Sequence, residues 1–168
     1  MNKLLRVIIA VGLMTLTAGV AFAANGDTLN IGGHVPLALD LTVTASGVAD
    51  NLPLTIAGVD APTTQTIATI DVTTNNTAGW ELWVFSENAD PTDTGLINAD
   101  LDEITYEIEY LGAGTTGAVD IPDTGALVGE ATSDLAQTGE TLQITYTQSE
   151  GHNAGYYSDQ LAIVLRAK

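Results

Sequence analysis

An all-β protein, folded as an antiparallel β-sandwich, is what this sequence predicts, on three observations. Apolar residues recur at every second position over short runs, and clusters of Gly, Asn, Asp and Pro separate those runs. No stretch keeps a 3.6-residue apolar period long enough to form a helix that covers a sheet. Alternation puts one strand face on a core and the other in water. Short strands bounded by turn residues favour two packed sheets over a closed barrel.

The chain opens on a segment set apart from that pattern. Lys3 and Arg6 precede an apolar stretch from Val7 to Val20, and Ala21-Phe22-Ala23 is an A-x-A cleavage site. Residues 1–23 therefore read as a secretory signal peptide, too short in its apolar part to span a bilayer of ~20-residue depth. The protein is expected to be secreted, with no membrane insertion after cleavage.

The next run is the longest. Odd positions carry Leu29, Ile31, Gly33, Val35, Leu37, Leu39, Leu41 and Val43, with mostly polar residues between them. Unbroken, this would be a strand of about 50 Å, far beyond the usual ~17–20 Å. Pro36 lacks a ladder donor and divides the run in two. The halves either form an edge strand and a central strand of one domain, or the first leaves its own domain and adds a strand to a neighbouring subunit. On the second reading residues 24–36 are a donor-strand extension and residues 37–168 the sandwich domain. Leu29, Ile31, Gly33 and Val35 would form the inserted face, and the acceptor groove would include Leu161, Ile163 and Leu165.

Two later runs are clean. In 103–110, Ile104, Tyr106, Ile108 and Tyr110 share one face and Glu103, Thr105, Glu107 and Glu109 the other; in 140–148, Leu142, Ile144 and Tyr146 oppose Thr141, Gln143, Thr145 and Thr147. Strands are also expected over 37–45, 52–59, 66–73, 80–85 and 160–167. In 80–85, Trp80, Leu82 and Val84 oppose Glu81, Trp83 and Phe85, so one tryptophan faces the core and the other is left for a ligand or a subunit contact.

Composition excludes several functions. The 168 residues hold 21 Asp and Glu against four Lys and Arg, a formal charge of −17. Without residues 1–23 the balance is 21 acidic residues against Arg166 and Lys168, a formal −19. Such a surface repels nucleic acid and anionic membranes. There is no cysteine, hence no disulfide and no thiolate chemistry. His34 and His152 have no catalytic partner nearby in sequence, and no serine sits in a nucleophile-elbow setting. The chain does not read as an enzyme, and no catalytic residue or organic cofactor is expected.

One loop carries a candidate metal site. Between residues 87 and 103 stand Glu87, Asn88, Asp90, Asp93, Asn98, Asp100, Asp102 and Glu103. A calcium ion takes about six to eight oxygens, and mixed carboxylates and carbonyls on a loop supply that donor type. Glu87, Asn88, Asp90, Asp93, Asp100 and Asp102 are the expected Ca2+ ligands, with a solvated acidic loop as the other reading.

Three patterns carry a resemblance: Asn75-Asn76-Thr77-Ala78-Gly79-Trp80-Glu81-Leu82-Trp83-Val84, Ile104-Thr105-Tyr106-Glu107-Ile108, and Gly155-Tyr156-Tyr157-Ser158-Asp159-Gln160-Leu161-Ala162-Ile163. Together they resemble the fimbrial-type structural subunits of the spore coat protein U group, which assemble through archaic chaperone–usher pathways. The resemblance implies an immunoglobulin-like sandwich completed by a donor strand from the next subunit. It also implies a homopolymer of identical subunits in a cell-surface or extracellular pilus, with a periplasmic chaperone and an outer-membrane usher as partners. A monomeric extracellular carbohydrate-binding or adhesive module is the alternative.

Overall fold

A computed structural model describes residues 32–54, 61–91, 94–148 and 151–168. The signal segment, Leu29, Ile31, Asp93 and most of the strand expected over 52–59 lie outside the described residues. The chain divides into two units, Met1–Val35 and Pro36–Lys168. Of the first, Gly32, Gly33, His34 and Val35 are described; they are exposed and carry no regular secondary structure.

The second unit is all β, and no helix occurs among the described residues. Its strands are β1 (Leu39–Ala45), β2 (Pro62–Thr74), β3 (Trp80–Ser86), β4 (Gly95–Ile97), β5 (Glu103–Tyr110), β6 (Ala126–Ala131), β7 (Gln137–Thr147) and β8 (Leu161–Ala167). A five-stranded sheet runs β1-β2-β7-β5-β4 and a three-stranded sheet β6-β3-β8, and every pairing is antiparallel. Antiparallel sheets keep one wet face, so the alternation in the sequence survives as burial.

The core lies between the sheets. Ile70 and Val72 of β2, Ile104, Ile108 and Tyr110 of β5, and Leu142 and Ile144 of β7 face Trp80, Leu82 and Val84 of β3 and Val128 of β6. Trp80 is fully buried and donates its indole N–H to the Leu135 carbonyl at 2.9 Å, which removes the cost of an unpaired buried donor.

Several boundaries differ from expectation for local reasons. Leu52, Asn51 and Leu54 are not in a strand, and the backbone bonds of this stretch are local, Asn51 N–H to Val48 and Leu54 N–H to Leu52. β1 begins two residues after Leu37 because Asn75 clamps the chain there. The Asn75 side chain accepts from Ala38 N–H at 2.7 Å and donates to the Pro36 carbonyl at 2.8 Å.

Candidate functional site: an apolar groove at the open edge of the sandwich

β1 and β8 are the end strands of their sheets and lie near each other on one side of the core, yet they do not pair. β8 bonds to β3 along one edge, and no described residue pairs with its other edge. Beside that edge lies a groove of about 330 Å³. Val43 and Ala45 form one wall, Leu161 and Ile163 the other, and core residues such as Leu142 and Ile144 the floor.

The burial of β8 follows from this. Its register pairs Ile163 with Val84 and Leu165 with Leu82. Val84 and Leu82 are fully buried, whereas Leu161, Ile163 and Leu165 are only half-buried although they face the same core. Of the three expected acceptor residues, Leu161 and Ile163 line the groove; Leu165 packs on the core without lining it.

A polar cluster fixes the end of the groove where β8 starts. Asp159 accepts from the Ser86 hydroxyl at 2.7 Å, from the Tyr106 hydroxyl, and from the main-chain N–H of Asn88 at 3.2 Å. Thr94, fully buried, donates to Ser86 at 2.7 Å. Burial, and then the Asp159 carboxylate, push the Tyr106 hydroxyl far above its ordinary range, so it stays a donor at any physiological pH. Tyr106 and Asp159 both line the groove.

The acidic loop divides among structural tasks. The Asn88 carboxamide donates to the carbonyls of Gly95 (3.0 Å) and Ser158 (2.8 Å), tying β4 to the approach of β8. The Asn98 side chain is buried and accepts from the N–H groups of Asp100 and Asp102, both at 2.9 Å. Asp102 accepts from the Tyr157 hydroxyl and Asn153 N–H, and its other oxygen lies 3.5 Å from His152 Nδ1. Among the described residues, no three His, Cys, Asp or Glu side chains gather in a group that could hold a metal ion. Of the expected calcium ligands, Glu87, Asn88, Asp90, Asp100 and Asp102 are among the described residues and Asp93 lies outside them. His152, without a partner in local sequence, finds one fifty residues away in Asp102.

This latch gives a pH prediction. The Tyr157 hydrogen bond, then that of Asn153, holds Asp102 below the usual carboxylate range, and burial with Asp102 pushes Tyr157 up to about 12. A carboxylate depressed in the folded state stabilises above its unfolded pKa of about 3.9, and that stability is lost as pH falls through the folded value. Asp102→Asn should therefore lower Tm at pH 7, and the gap from wild type should close as pH falls toward 3. A gap that stays constant over that range would mean that the charge of Asp102 contributes nothing.

No protein-family model matches the chain, and no curated protein matches it either.

Proposed function

We propose that the protein is a secreted structural subunit that polymerises by strand donation, with residues 25–35 of one copy filling the groove beside β8 of the next. The observation that carries this reading is the half-buried inner face of β8 next to a strand edge that no described residue pairs. An inserted strand would supply ladder hydrogen bonds to that edge and apolar side chains to the groove. Leu29 to Val35 spans seven residues, the length of β8, and alternates Leu29, Ile31, Gly33 and Val35 with polar residues. Gly33 would let the donor backbone lie close to a wall. A donor on one side and an acceptor on another make a head-to-tail contact that need not close, which generates an open filament.

On this reading the domain is an immunoglobulin-like sandwich lacking one strand, placed at the cell surface or in an extracellular fibre. A chaperone covering the groove before assembly and an usher exporting the subunits are the partners that the fimbrial resemblance implies. Calcium is not carried into the proposal, because no gathered ligand set stands among the described residues.

Negative-stain electron microscopy of the secreted chain tests the proposal directly. Filaments are expected from the wild type, and soluble protein that forms no filaments from a chain lacking residues 25–35. A synthetic peptide of residues 25–36 should raise the Tm of that shortened chain, since a ligand of the folded state stabilises it. A wild-type chain that stays monomeric at high concentration, or filaments that survive the deletion, would remove strand donation and leave the monomeric adhesive module as the reading.

A further inference from the structure

The outer face of the three-stranded sheet departs from the rest of the surface in both charge and polarity. Cross-strand register places Leu127 of β6, Trp83 of β3 and Val164 of β8 in one row, and Glu130, Glu81 and Arg166 in another. Trp83, Phe85, Leu127 and Val164 are each half-exposed. The Trp83 and Phe85 rings stack with centroids 6.5 Å apart, and the Arg166 guanidinium lies 5.0 Å from one centroid and 5.6 Å from the other.

Charge distribution makes this face special. The outer face of the five-stranded sheet carries Asp40, Asp71, Glu103, Glu107 and Glu109 and no Lys or Arg. The small sheet has Glu81 and Glu130, balanced by Arg166 and Lys168, the only two cations after residue 23. Lys168 pairs with Glu130, and Glu81 accepts from the Trp83 indole N–H at 2.9 Å. Arg166 is exposed, and no described carboxylate reaches ion-pair distance of it despite the excess of acids in the chain. Stacking on the rings leaves the in-plane N–H donors of a guanidinium open to an anion.

We propose that this face docks on the same face of a second copy, related by a two-fold axis. Two copies of so acidic a chain repel each other wherever their acidic faces meet, and the small sheet is where that repulsion vanishes. Its aromatic row needs an apolar counterpart, which the Glu- and Thr-covered large sheet does not offer and the identical face does. Pairing also gives each Arg166 a carboxylate across the interface. The contact is independent of the groove and of strand donation; where both operate, it joins filaments side by side.

Because the chain has no cysteine, a single introduced thiol reports the contact. The secreted full chain carrying Val164→Cys, oxidised mildly at physiological salt, is expected to give a covalent dimer on a non-reducing denaturing gel, which dissolves any non-covalent polymer. Gln143→Cys, on the outer face of the large sheet, is expected to give little. Adding Arg166→Glu to Val164→Cys makes the face acidic and should lower the dimer yield about tenfold, as loss of an interfacial charge pair does. Circular dichroism checks that each variant is folded. Equal dimer from the two thiol positions, no dimer from folded Val164→Cys, or a yield indifferent to Arg166→Glu would each overturn the proposal.

Discussion

Leu82→Ala is expected to destabilise the domain by about 2–5 kcal/mol, and Ile163→Ala by roughly half as much. Both side chains point into the space between the sheets from neighbouring strands. Leu82 is fully enclosed, so truncation loses its whole transfer free energy and leaves a cavity that a packed core cannot close. Ile163 is half-wetted at the groove wall, so part of its surface gains nothing from folding and water can occupy the space it leaves. Urea denaturation at matched protein concentration measures both. The difference should shrink in the presence of saturating peptide of residues 25–36, because the groove then closes over Ile163. If Ile163→Ala costs as much as Leu82→Ala without peptide, the wall is already packed and the groove has nothing to receive.

The strands that the sequence announces best are those wet on one side and dry on the other. In β5 and β7 each core position alternates with a Glu, Thr or Gln, so spacing alone gives both the strand and its buried face. β4 and β6 had no such signal. β4 is three residues inside an acidic loop, and β6, Ala-Leu-Val-Gly-Glu-Ala, holds residues of low strand propensity and carries a register shift against β3 at Val128, so Val128 and Gly129 are buried one after the other and the period-two pattern is lost. The start of β2 was also illegible: Pro62 lacks a ladder donor, Thr63, Thr64 and Gln65 are polar on either face, and the stretch becomes a strand against the partner edge that β7 offers.

The groove was half legible. The last strand, Leu161-Ala162-Ile163-Val164-Leu165, is apolar on both faces, so its residues read as groove-lining without spacing to choose the inward face, and their incomplete burial depends on which strands end the two sheets, which sequence spacing does not carry. The Asp159 and Asp102 clusters were hidden for a related reason. Their partners, Ser86, Tyr106, Asn153 and Tyr157, lie about fifty to seventy residues away and meet them only through loop ends brought together by the sheet order. Acidic residues concentrated in one loop read either as metal ligands or as a solvated surface. Asn88 and Asp102 use polar atoms on main-chain and hydroxyl groups that would otherwise be left unpaired at the edge of the core.

Among the described residues the small sheet is unpaired along β8 and sealed along β6, and Gly114 is where the seal is most sensitive. Beyond β6 the segment Gly114–Thr116 runs alongside: Glu130 N–H bonds to the Gly114 carbonyl at 3.1 Å, Thr116 N–H to Val128 at 3.3 Å, and Thr115 bridges Gly129. Gly114 has φ +69°, and a Cβ there would lie 1.6 Å from the Glu130 carbonyl oxygen. Gly114→Ala therefore combines a left-handed backbone with a collision against main chain, and is expected to cost about 2–5 kcal/mol from strain and overpacking together. Gly117, three residues on, also has positive φ, at +85°, but open space around its Cβ position. Gly117→Ala should cost only the backbone part, about 1–2 kcal/mol. Urea midpoints of the two variants separate the contributions, and equal midpoints would show that the seal yields freely. If Gly114→Ala does lift the segment, β6 gains an unpaired edge, and the variant should aggregate without order even in a chain that lacks residues 25–35.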